Sequence, residues 1–175
     1  LLAGTAVAQA PPSITTTRPL AVRPGQAVDL AVQGANLVGV SDIWTSFPST
    51  KALVGDTKNK AQCVYKLTVP ADAAVGIHAV RVAGPGGLSP LKLILVDDIP
   101  TTAQAADNFS RDKAQALTLP AAVDGNTDAL KLRIYKFTAE KGQTISAEVV
   151  AKRIGSALDP LLRLLDATGR ALAYS

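Results

Sequence analysis

Apolar and polar side chains alternate with a period of two along the first half of the chain, the pattern of strands that bury one face. In "AVDLAVQG" (27–34), Val28, Leu30 and Val32 fall on one face and Ala27, Asp29 and Ala31 on the other. In "GIHAVRVAG" (76–84), Ile77, Ala79 and Arg81 share one face and His78, Val80 and Val82 the other. Further strands are predicted at "SITTT" (13–17), "DIWTSF" (42–47), "CVYKLTV" (63–69) and "PLKLILV" (90–96), punctuated by "RPGQ" (23–26), "GANLVG" (34–39), Pro70 and "GPGG" (84–87). Short strands at roughly 8–12-residue spacing between turn signals predict an all-β sandwich or barrel.

The pattern stops at "DDIPTTAQAADNFSRD" (97–112), which is polar, Ala-rich and without alternation. A domain boundary is placed here, near Pro100. The stretch before it, about 85 residues, suffices for a small sandwich. A second strand series follows at "ALTLP" (116–120), "LKLRIYKFTA" (130–139) and "TISAEVVAKR" (144–153). In it Tyr135 and Phe137 share a face, as do Ile145, Ala147 and Val149, and Gly142 in "AEKGQ" (139–143) is the expected positive-φ residue of a connection. The tail "LDPLLRLLDATGRALAYS" (158–175) supports two readings by pattern alone. Asp159 as N-cap, Pro160 at the first position and Leu161, Leu164 and Leu165 on one face suit a helix. Alternating Leu162 and Leu164, the "DATG" turn and "RALAY" suit a hairpin.

Composition narrows this picture. The chain has 175 residues, 47% hydrophobic but only 4% aromatic, so a core must be built from Val, Leu, Ile and Ala. A charged fraction of 18% with 13 Gly and 11 Pro again favours all-β. Net charge is +4, yet Lys and Arg are scattered singly, densest at "TKNK" (57–60). Nucleic-acid binders cluster basic residues on one face with aromatics between them, so no nucleic-acid partner is expected and the charge reads as solvated surface. Met is absent, and "LLAGTAVAQA" (1–10) reads as a signal-peptide remnant. Cleavage is expected after "AVA" (6–8) rather than "AQA" (8–10), which would leave Pro11 as the new N-terminus. No later segment approaches the ~20 apolar residues of a membrane span.

The motifs of the first domain resemble those of the IPT/TIG immunoglobulin-like family over about residues 12–96. Gly25, Val28, Leu30, Gly34, Asn36, Leu37, Val69, Pro70, Ala73, Gly76, Gly87 and Ser89 occupy its pattern. The second series resembles the bacterial pre-peptidase C-terminal domain over some 60 residues. Its pattern falls on Val123, Gly125, Tyr135, Phe137, Gly142, Gln143, Ser156, Asp159, Pro160, Leu162, Leu164, Asp166, Gly169 and Leu172. The resemblance implies that the tail is a hairpin, in a jelly-roll-like sandwich whose last strands lie beyond this fragment. The expected organisation is a signal-peptide remnant at 1–10, an immunoglobulin-like domain at 12–97, a linker at 98–112 and an incomplete second β-sandwich at 113–175.

Calcium-binding members of the second family open with E-x-E-P-N-D. Here "QAADNFSRD" replaces both acids, with Gln104 or Ala, and leaves Asp107 and Asn108 as the candidate ligands. The Asp that commonly precedes the Tyr-x-Phe strand is displaced too, with Arg133 and Ile134 before Tyr135 and Asp128 further back. Calcium takes six to eight oxygens, so no metal or other cofactor is expected. Nor does catalysis find its parts. Cys63 and His78, the single cysteine and histidine, could lie on neighbouring strands but lack a third group to orient them, and they cannot supply a zinc set. Asp97 and Asp98 read as a solvated hinge, Asp159 and Asp166 as turn caps. "GPGG" lacks the Lys and the strand–helix context of a phosphate loop. Trp44 and Phe47 read as core in preference to an exposed aromatic patch, and "NFS" (108–110) is a formal glycosylation sequon.

The expected function is a non-catalytic, extracytoplasmic module of a larger secreted or cell-envelope bacterial protein. It would serve as spacer and as adhesion or substrate-targeting region. Its expected partners are extracellular polysaccharide or protein and downstream domains of the same chain. The alternative is an accessory N-terminal region of a secreted peptidase.

Overall fold

The computed structural model describes residues 9–128 and 130–175, so the signal-peptide reading of 1–10 falls almost wholly outside the described residues. The fold is all-β. Nine strands run from β1 to β9: β1 (Ser13–Arg18), β2 (Ala21–Val22), β3 (Ala27–Ala35), β4 (Asp42–Thr45), β5 (Thr50–Val54), β6 (Gln62–Thr68), β7 (Gly76–Gly84), β8 (Gly87–Leu88) and β9 (Lys92–Val96). They form a four-stranded sheet β1-β3-β6-β5 and a sheet β2-β9-β7-β4, with β8 hairpinned onto β7. Alternation decides which face is buried. Leu30 and Val32 of β3 and Cys63, Tyr65 and Leu67 of β6 meet Val80 and Val82 of β7 and Ile94 and Val96 of β9 in one core. A fully buried side chain of this kind contributes about 1.5–3 kcal/mol.

The first edge of the sandwich is split. β1 pairs antiparallel with β3 from Ser13↔Ala35 to Arg18↔Ala31, then the chain crosses sheets and β2 runs parallel to β9. Ala27 and Val28 of β3 therefore pair with β6 but face no β1 residue on their other side. The "GANL" turn has a steric logic. A Cβ on Gly34 would strike the Ser13 carbonyl of β1, Asn36 takes a left-handed φ of 57°, and Leu37 is fully buried. Ser89 is buried because its hydroxyl substitutes for a ladder partner: it accepts from Val82 N (3.1 Å) and donates to Pro90 O (2.8 Å).

Residues beyond Pro100 are built differently. They form three two-stranded sheets: β10 (Thr101–Ala103) parallel to β12 (Ala122–Asp124), β11 (Gln115–Ala116) parallel to β13 (Tyr135–Lys136), and the antiparallel hairpin β14 (Arg163–Leu165) with β15 (Ala171–Tyr174). β10 lies inside 98–112, the expected linker. The strands expected at 116–120 and 130–139 shrink to two-residue bridges, and 144–153 ends in a 3-10 turn, Lys152–Ile154, with no strand among 144–151. Leu130, Leu132 and Val149 are exposed; no layer covers them, and alternation without a facing layer does not hold a strand. The tail is a hairpin, which resolves its two readings. Ile154 is buried, and its turn lies against β9.

Candidate functional site

The sequence candidates separate. Cys63 lies on β6 and His78 on β7, in different sheets. Burial raises the Cys63 thiol to about 11, which suppresses the thiolate. His78 packs edge-on against Phe47 at 5.3 Å, bonds Ala74 O through Nε2 (2.8 Å) and meets Ser46 Oγ through Nδ1 (3.3 Å). The Ser46–His78 contact is invisible to a motif scan because 31 residues lie between them. The Ser46 hydroxyl also accepts from Ala79 N (2.9 Å), so it ties the end of β4 to β7. Phe47 is core as expected, but Trp44 is half-exposed, opposite Arg81 on the outer face. Asp97 caps a turn by accepting from Ile99 N (3.1 Å), and Asp159 pairs with Lys152 (2.8 Å).

Asp107 and Asn108 are taken by cations of the chain itself. The Asp107 carboxylate pairs with Lys113 Nζ (3.2 Å). Asn108 is fully buried: its Oδ1 accepts from Arg133 Nη1 (3.0 Å) and its Nδ2 donates to Ile134 O (3.3 Å). Arg133 Nη1 also reaches the carbonyls of Ala105 and Ala106, and its guanidinium lies 4.2 Å from the centre of the Phe109 ring. Arginine thus fills the oxygen-lined bend around the two candidate calcium ligands. A buried, doubly bonded Asn108 amide is also closed to glycan attachment at the sequon. Among the described residues no three His, Cys, Asp or Glu side chains gather at one point.

What the structure does gather is a cleft of about 730 Å³ between the sandwich and the residues after Pro100. Arg18, Arg23 and Arg133 line it, with Asp124 as the one carboxylate. Arg18 Nη1 donates to Asp124 Oδ1 (2.8 Å), and the backbone N–H of Leu20 donates to Oδ2 (2.7 Å). Asp124 is thereby spent on the junction itself. Arg23 is exposed and, among the described residues, meets no carboxylate. The rest of the wall is Gln26, Gln104, Asn126, Thr101, Thr102 and small or apolar side chains, with Ala27 and Val28 at the half-open edge of β3. The volume falls in the range of ligand sites. Sequence reading treats these arginines as dispersed surface charge, because the crossover after β1 and the β10–β12 pairing that bring them together leave no local motif. Comparison with family models, curated proteins and solved structures finds no match to this chain.

Proposed function

We propose that this chain is a non-catalytic, extracytoplasmic part of a larger secreted or cell-envelope bacterial protein, serving as spacer and as adhesion or substrate-targeting region. On this reading the sandwich is an IPT/TIG-like immunoglobulin domain, and 113–175 belongs to a tandem module like the pre-peptidase C-terminal domain. The observation that carries it is the contrast between the two regions. The sandwich buries sixteen apolar residues in one cluster. Among the described residues beyond Pro100 the buried apolar ones are Ala151 and Ile154, while Leu130, Leu132, Leu161, Leu172 and Tyr174 stand exposed. Apolar side chains left uncovered beside so small a buried set support the reading that further protein packs on this region. The use of the reactive side chains supports a non-catalytic role: Cys63 is sealed in the core, and both ring nitrogens of His78 are engaged in holding β4 and the 70s loop.

The test is the native gene and its product. Further β modules in the reading frame around these codons, with the product fractionating outside the cytoplasm, are expected. A frame encoding a peptidase motif set favours the accessory-region alternative, and a cytoplasmic product overturns the reading.

A further inference from the structure

We infer that the junction cleft takes an extended acidic peptide segment, whose carboxylates are met by Arg23 and Arg18 in the positive field that Arg133 reinforces. The inference rests on the reading of this chain as a binding and spacer module and names its partner chemistry.

Charge comes first. Three guanidinium groups against one carboxylate leave a surplus of two positive charges in the cleft. The single carboxylate, Asp124, already accepts from Arg18 and Leu20. Arg18 uses Nη1 for that bond, keeps its side chain 39% exposed, and has guanidinium donors left over. Arg23 is exposed and, among the described residues, pairs with no carboxylate. A guanidinium fork binds carboxylate bidentately, and a cleft lined by one sign of charge concentrates ligands of the other. Shape then selects among anions. No aromatic ring lines the cleft, so a sugar ring finds no stacking platform. Much of the wall is small, with five alanines, Gly125 and two threonines, which lets a backbone approach closely, and the amides of Gln26, Gln104 and Asn126 add polar groups. One wall is the stretch of β3 at Ala27–Val28 that β1 vacates when it crosses sheets. A half-open strand edge beside free arginines suits a peptide that adds main-chain bonds while its acidic side chains reach the guanidinium groups.

The experiment is fluorescence anisotropy on the whole chain with a fluorescein-labelled peptide of alternating glutamate and threonine. A glutamine–threonine peptide and a labelled polyuronate serve as comparison probes. The expected result is saturable binding of the acidic peptide that weakens as salt rises, with the glutamine peptide bound at least about tenfold more weakly. R23E should cost about tenfold or more, and R23Q less. K141E makes the same change of net charge outside the cleft and should leave binding within about twofold. Circular dichroism and Trp44 fluorescence verify that the variants fold. Equal loss in R23E and K141E, no binding by the unmodified chain, or preference for the polyuronate overturns the inference. Mass spectrometry of the recovered peptide separates the two readings: cleavage overturns the non-catalytic role, while an intact but unbound peptide overturns only the peptide-site inference.

Discussion

Cys63 is 3% exposed inside the sandwich, and desolvation lifts its thiol from 9.0 to about 11. The proton is held more tightly folded than unfolded, so stability is full below about pH 9 and falls as pH rises through the folded value. Tyr65 acts in the same direction: burial raises its phenol, and the charges of Cys63 and Asp42 add to the shift. Urea unfolding followed by Trp44 fluorescence should show the sandwich losing roughly 2 kcal/mol between about pH 8 and pH 11. Cys63→Ala should flatten part of that fall, and an unchanged slope would count against this assignment. At Asn108 the stake is a buried amide with two partners. Asn108→Ala strips Ile134 O and Arg133 of theirs, at about 1–3 kcal/mol. Hydrogen exchange at the Ile134 and Gln115 amides, which bond Asn108 O and Ile134 O, should quicken about tenfold or more. Unaltered protection would show that the bend does not depend on this side chain. The sequence marks Asn108 as special through its place beside two missing acids. It cannot show that the compensating charge is Arg133, which reaches back across 25 residues.

Single elements carry their own titrations. The β14–β15 hairpin turns on Asp166, whose Oδ1 accepts from the Thr168 hydroxyl (2.6 Å) and from the backbone N–H groups of Thr168, Gly169 and Arg170. The Thr168 hydroxyl, then the Arg170 N–H, hold this carboxyl below its ordinary value of 3.8. The contribution is therefore complete above that value and lost as pH falls through the lower, folded one. The Leu165 and Ala171 amide signals should broaden or shift first in an acid titration, and Asp166→Ala should reproduce that change at neutral pH. A hairpin spectrum indifferent to both would remove Asp166 from this role. Legibility differs by element for a physical reason. β3 and β7 sit between neighbours and over a core, so alternation in sequence and burial in space coincide. β5 escapes notice because only Leu53 of its five residues is even half-buried, which leaves no period to read. The opposite error, long strands expected at 130–139 and 144–153, comes from side chains with strand propensity that lack a facing sheet. The tail shows how context settles an ambiguous pattern, since Leu161, Leu164 and Leu165 share a helical face only if Asp166 does not hold a turn.

At the scale of the molecule, two attachments stand out among the described residues between the sandwich and the rest of the chain: Asp124 on the β1–β2 crossover, and the turn Lys152–Ile154 on β9. The first is the more directional. Asp124 is 11% exposed and satisfies both Arg18 and the Leu20 N–H, so Asp124→Ala leaves a guanidinium and a backbone donor facing each other without an acceptor. Hydrogen bonds to a charged group are worth about 1.5–3 kcal/mol each, partly recovered here because water reaches Arg18. A net loss of about 2 kcal/mol at the junction follows. Ile154→Asp attacks the second attachment by placing a charge where an apolar side chain is 7% exposed. Neither substitution touches the buried cluster of the sandwich, so its unfolding, read by Trp44, should move little, while the radius of gyration in solution scattering rises and proteolysis after Pro100 accelerates. The double variant should exceed either single one, because each attachment alone still tethers the same region. Should the sandwich unfold at lower urea along with the released region, the two would form one cooperative unit. The junction cleft would then be part of the core's stability as well as a place for a ligand.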